Sequence, residues 1–130
     1  MYTATTHAIT VTAQPTYLED QSEPQDGRFV WAYHIRINNG SNRTVQLLSR
    51  TWHITDGFGR RQEVQGAGVV GEQPVLKPGQ SFEYTSGTPL PTPSGIMVGT
   101  YQMEAEDGER FVIDVPAFSL DSPHQAVRLN

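Results

Sequence analysis

The chain is 130 residues long, carries a net charge of -5 with a pI near 5.2, and contains no cysteine. At that length one core can bury roughly two-thirds of the surface an unfolded chain exposes, so a single domain spanning residues 1–130 is expected. Without cysteine there is no disulfide framework, thiolate metal site or cysteine nucleophile, and a net acidic chain has the wrong sign to grip nucleic acid through many phosphates.

The opening "MYTATTHAIT" has neither a basic nor an apolar leader region, and no run approaches the roughly 18 apolar residues of a membrane span; a cytoplasmic domain with no membrane partner is expected. Strict alternation, rather than helical periodicity, runs through the rest of the chain. "HAITVTAQPTYL" sets Ile9, Val11, Ala13 and Tyr17 against Thr10, Thr12 and Gln14, with Pro15 at an edge or bulge. The acidic, apolar-poor segment from Glu19 to Gly27 reads as a mobile surface loop. "RFVWAYHIRIN" is the clearest strand, with Phe29, Trp31, Tyr33, Ile35 and Ile37 on one face as core. Asn39 and Gly40 in "NNGSN" predict a turn that returns the chain as a hairpin through "TVQLLSRTWHITD". In that strand Val45 and Leu47 have one parity while Leu48, Trp52 and Ile54 have the other, so a bulge near Leu47 is required to bring all of them inward.

"DGFG" at Asp56–Gly59 makes a tight turn into "RRQEV". "SFEYTSG" alternates Phe82 and Tyr84, and "TPLPTPSG" is expected to cross between sheets in extended form. Met97, Tyr101, Met103 and Ala105 then lead into an Asp107–Gly108 hairpin turn, with Phe111, Ile113 and Val115 leading out. Short strands separated by frequent turns predict an all-β sandwich of the immunoglobulin or fibronectin type III kind.

Within "EVQGAGVVGEQPVLKPGQ", Gly66, Gly68 and Gly71 form a Gly-x-Gly-x-x-Gly pattern. A dinucleotide fingerprint needs a helix whose N-terminal amides meet the pyrophosphate, and Pro74 and Pro78 forbid one; nucleotide binding is therefore not expected. Three readings remain. The glycines serve a long connection; or consecutive amides form an anion nest beside Arg60 and Arg61; or Val69 and Val70, followed by Pro74, Val75 and Leu76, offer an apolar patch to another protein.

No catalytic set emerges. His34 and His53, read as hairpin neighbours, could with Asp56 hold a transition metal, but the histidines lack close chelating spacing, so no metal site or cofactor is expected. Glu104 and Glu106 share a face but flank a solvated hairpin tip, where nothing perturbs a carboxylate for acid–base work. The basic residues comprise eight arginines and the single Lys77, a bias that genome composition explains as readily as function.

"QLLSRTWHITDGFGR", "VQGAGVVGEQPVLKPGQSFEYTSG", "GIMVGTYQM" and "FVIDVPAFSL", in this order over nearly the full chain, resemble the bacterial ApaG family. The resemblance implies a fibronectin type III-like sandwich that stands alone in bacteria and recurs as an accessory domain in F-box proteins and a DNA polymerase delta-interacting protein. It also implies an association with cobalt resistance and magnesium efflux, and no catalytic residues. A non-enzymatic module is expected, docking a protein partner through Gly66–Leu76 with Arg60, Arg61 and the "TSGTPLPTP" segment. The alternative is a small-ligand sensor for nucleotide polyphosphate or divalent metal, acting through the glycine loop or surface histidines.

Overall fold

The computed structural model describes residues 1–124. Among these residues nine strands occur in order: β1 (Tyr2–Thr6), β2 (Ile9–Tyr17), β3 (Phe29–Asn39), β4 (Val45–Asp56), β5 (Arg61–Ala67), β6 (Val75–Leu76), β7 (Ser81–Leu90), β8 (Gly95–Ala105) and β9 (Arg110–Leu120). They form two antiparallel sheets, β1-β2-β3-β7 and β5-β4-β8-β9, with β6 pairing with the first residues of β4. This is the expected all-β sandwich.

Alternation explains the core. Phe29, Trp31, Tyr33, Ile35 and Ile37 of β3 are all buried, facing Met97, Tyr101 and Met103 of β8 and Ile113 and Val115 of β9 from the second sheet. Trp52 of β4 stands at the centre, with ring centroids 5.5 Å from Tyr33, 6.0 Å from Phe118 and 6.4 Å from Tyr101. Aromatic pairs at such spacings each contribute about 1 kcal/mol beyond their buried area.

Two expected connections differ. β3 and β4 are not a hairpin: β3 pairs with β2 and β7, β4 with β5, β6 and β8, so residues 40–44 carry the chain from one sheet to the other. Asn39 is a strand end here, not a turn residue with positive φ. Fully buried, it donates through Nδ2 to Arg43 O (2.8 Å) and Leu76 O (2.9 Å) and accepts at Oδ1 from Ser41 N (3.0 Å) and Ser41 Oγ (2.6 Å). An intersheet crossing leaves backbone groups outside any ladder, and this amide satisfies several of them. The first hairpin is instead β1–β2, turning at His7 and Ala8 with φ of 52° and 64°.

The acidic segment is tied down. It forms two single 3-10 turns, Glu19–Gln21 and Pro24–Asp26, and between them buried Ser22 donates to Leu18 O (2.7 Å) and accepts from Val30 N (2.9 Å). Pro15 lies past the last β1 partner, Ala13, so the missing amide costs that edge nothing.

One flank of the sandwich is shut and the other open. β1 and β2 pack against β9, with Tyr2 on Phe118 and Asp114 N donating to Thr6 Oγ1 at 3.1 Å. On the opposite flank β5 and β7, the edge strands of their sheets, stand apart.

Candidate functional site

The gap between β5 and β7 is a cleft of about 500 Å³. Its floor is Tyr33, Trp52 and Met97; its walls are Gln62 and Val64 from β5 and Ser86–Pro89 from β7; its rim is Val69, Val70 and Gly71. The glycine loop and the "TSGTPLPTP" segment, distant in sequence, thus meet across one opening.

Arg50 also lines this cleft, and it was invisible in the alternation. The bulge in β4 falls at Leu48, where pairing with β8 steps from Leu47 to Ser49. Leu48 is therefore half-buried and outside the core, a correction to the expectation that it points inward with Trp52. Arg50 takes that parity. Its Nη1 donates to Ala67 O (3.2 Å) and Gly68 O (2.9 Å), and among the described residues it has no carboxylate partner. Behind it the Tyr84 and Tyr101 hydroxyls are 2.6 Å apart. Burial pushes both phenols well above their ordinary pKa, so both stay neutral hydrogen-bonding groups. The Trp52 indole Nε1–H is buried with no acceptor among the described residues.

The three glycines of the pattern have separate structural causes. Gly66 lies opposite Arg50 in the β4–β5 ladder, and a Cβ there would sit 2.7 Å from Arg50 Nη1: the glycine makes the bed on which the guanidinium lies. Gly68 has φ of +63°, and a Cβ would run into the Glu72 carbonyl. Gly71, at φ +80°, ends a two-residue turn in which Val69 N donates to Glu72 O (2.8 Å) and Glu72 N to Val69 O (2.9 Å). Positive φ at both central positions makes this a type I′ turn, so Val70 adopts φ +44°, a left-handed conformation that β-branched residues strongly avoid. The loop amides of Gly68, Val69 and Glu72 are bonded to carbonyls, so of the consecutive amides from Gly68 to Glu72 those of Val70 and Gly71 are the ones not engaged in this way. No helix follows Gly71; the chain runs on into β6.

The remaining predicted residues disperse. Arg60 and Arg61 lie at the far end of β5 from Gly66, roughly 20 Å away at about 3.3 Å per residue. Arg60 is engaged there by Asp56 (2.9 Å) and stacks on Phe58 with its guanidinium carbon 5.1 Å from the ring centroid. Val69, expected to be held outward, is 1% exposed, whereas Val70 is 52% exposed; Pro74 is half-buried, its carbonyl accepting from Leu47 N at 3.0 Å. His34 and His53 sit in different sheets, His34 bonded to Glu83 and Thr85, so the pairing with Asp56 that would make a metal site does not form. Among the described residues no three His, Asp or Glu side chains come together as a metal cluster. Glu104 is paired with Arg110 at 2.9 Å, and Glu106 accepts from Thr44 N.

Comparison with known proteins agrees with this architecture. The ApaG domain profile matches residues 19–105. The chain belongs to the ApaG family. ApaG proteins of Paramagnetospirillum magneticum and Rhodospirillum centenum are 68% and 62% identical to it over all 130 residues, covering the whole of each relative. A crystal structure of a Bordetella pertussis protein described as ApaA superposes with a TM-score of 0.86 at 49% identity, covering 90% of this chain and 95% of that one. The ApaG profile takes in the cleft's β4, β5 and β7 strands, its glycine rim and all of β8, while β1, β2 and β9, which close the other flank, lie outside it. No helix among the described residues is long and apolar enough to cross a membrane.

Proposed function

We propose that this ApaG-family protein is a cytoplasmic, non-enzymatic interaction module that engages a protein partner with its open flank. The observation that carries the reading is Val70. It is exposed at the rim of the cleft and held in a conformation costing about 1–3 kcal/mol, strain that tends to persist where a site requires it. Support comes from the surroundings: the rim is fastened by paired backbone bonds, the edges of β5 and β7 are free to accept main-chain contacts, and the ionisable side chains nearby are spread out rather than convergent. Arg60 and Arg61 extend the same flank toward Pro89–Pro91.

The test is affinity capture from the protein's own lysate with the natural chain and with Val70→Asp, each first shown to melt cooperatively. Buried Val69 is left intact. Loss of a specific partner with Val70→Asp is expected, and equal recovery of every partner by both proteins removes the rim from the account.

A further inference from the structure

We infer that the β5–β7 cleft is a receptor for a carboxylate carried on an apolar or aromatic group, with Arg50 as its anchor. The inference deepens the reading of the open flank as a binding face by naming the chemistry it recognises. It stands on the cleft interior, not on Val70.

Among the described residues Arg50 is the one charged side chain lining the cleft, and that lining contains no aspartate or glutamate. That matters in a chain with a net charge of -5, where acidic residues outnumber basic ones. Only Nη1 is engaged, and its acceptors are neutral carbonyls that orient the guanidinium without discharging it. Gly66 leaves the space the guanidinium occupies. A planar fork fixed in this way suits the two oxygens of a carboxylate. Beneath the cleft, among the described residues, the buried Trp52 indole N–H has no acceptor and the neutral Tyr84 and Tyr101 hydroxyls bond each other, so no anionic group lies under the guanidinium.

The apolar part follows from the walls. Tyr33, Trp52, Ile54, Val64, Val69 and Met97 surround the polar end, and about 500 Å³ is the size of a small-molecule site. A polyphosphate is disfavoured by the same inventory. There is a single cation in the lining, the amides of Gly68, Val69 and Glu72 are spent on carbonyls, and Arg60 and Arg61 lie at the other end of β5. The carboxylate can be that of a free acid or the C-terminus of a peptide, and the experiment separates them.

Uniformly 15N-labelled full chain is titrated with indole-3-propionate, its primary amide, the peptide Gly-Val-Leu-Phe with free and with amidated C-terminus, and ATP. Saturable shifts are expected at Gly66–Gly71 and Ser86–Thr88 with a free carboxylate, with affinity on the order of 1 mM or tighter for so small a probe. The amides should bind at least about 10-fold more weakly, the usual consequence of losing a charge-assisted hydrogen bond. Tighter binding of the free-ended peptide assigns the carboxylate to a protein partner, and tighter binding of the free acid assigns it to a metabolite. Arg50→Met should abolish the preference for acid over amide. Gly66→Ala, which retains the charge but displaces the guanidinium, should reduce it. The amide-to-amide spectrum outside the cleft shows that each variant is folded. Equal binding of acid and amide, unchanged preference in both variants, saturation by ATP in place of the carboxylates, or no shift with any probe overturns the inference. The ligand titration is read on the natural chain, so the two readings fail separately: a saturable preference for acid over amide with equal partner recovery by Val70→Asp sinks only the rim-docking reading, and no such preference with partner loss in Val70→Asp sinks only this inference.

Discussion

Replacing Val70 with asparagine should make the protein more stable, although the change removes an apolar side chain. In the type I′ turn Val69–Glu72, Val70 at φ +44° carries the left-handed penalty of a β-branched residue, about 1–3 kcal/mol. Asparagine tolerates that region, and Asn-Gly is the favoured pair for this turn. Against the relief stands lost burial: at 52% exposure about half of the roughly 1.5 kcal/mol available from a fully buried valine is forfeited. The net expectation is a gain of about 0.5–1.5 kcal/mol, or roughly 2–6 °C in Tm for a domain of this size. Urea unfolding followed by tryptophan fluorescence reads this as a higher midpoint with an unchanged slope. Val70→Gly relieves the same strain but enlarges the entropy of the unfolded chain, so its gain should be smaller; Val70→Ile retains the strain and should gain nothing. A midpoint for Val70→Asn equal to or below that of the natural protein refutes the assignment of strain to this residue. A stabilised Val70→Asn that also loses its partner would show stability given up at this position for binding.

Further outcomes test the scaffold. Gly68→Ala combines positive φ with a clash against the Glu72 carbonyl and should cost at least about 2 kcal/mol in the same urea assay, while Gly71→Ala, with open space around its Cα, should cost only its φ penalty of about 1 kcal/mol. Asn39→Ala removes a donor from the carbonyls of Leu76 and Arg43, the latter keeping only the Ser41 hydroxyl at 3.2 Å, and takes the acceptor from Ser41 N; it should lower stability by about 2–4 kcal/mol, with hydrogen exchange quickening at residues 40–44. The Asp56 carboxyl is partly desolvated, which opposes ionisation, but bonds from the Arg60 and Phe58 amides and the Arg60 guanidinium outweigh this and hold it below the usual range. A lowered folded pKa contributes stability above the unfolded value of about 3.9 that is lost as pH falls through the folded one. Asp56→Asn should therefore melt below the natural protein at pH 7, with the gap closing as pH drops below about 4 in scanning calorimetry.

How much of this was legible in the sequence differs between strand and site. β3 and the β8–β9 hairpin were readable because one face of each is buried and side chains alternate with period two, so Phe29 to Ile37 had nowhere else to go. The exclusion of a dinucleotide loop was equally local, because Pro74 and Pro78 act on their own neighbours. β1 went unread because the His7–Ala8 turn carries none of the usual turn residues despite its positive φ values. The β3–β4 connection was misread because a short polar turn between two strands looks the same whether the strands pair or part.

The sequence by itself determined an acidic, cysteine-free chain of strand periodicity whose apolar residues require a two-layer core and whose glycine loop cannot start a helix. The tertiary structure decided where the sandwich stays open and what faces the opening. Alternation specifies faces only within an unbroken ladder, and the position of the Leu48 bulge is settled by the register of β4 against β8, partners some fifty residues apart. That one-residue slip turns Arg50 inward over Gly66, so a cation unremarkable in the chain becomes the charged centre of the cleft.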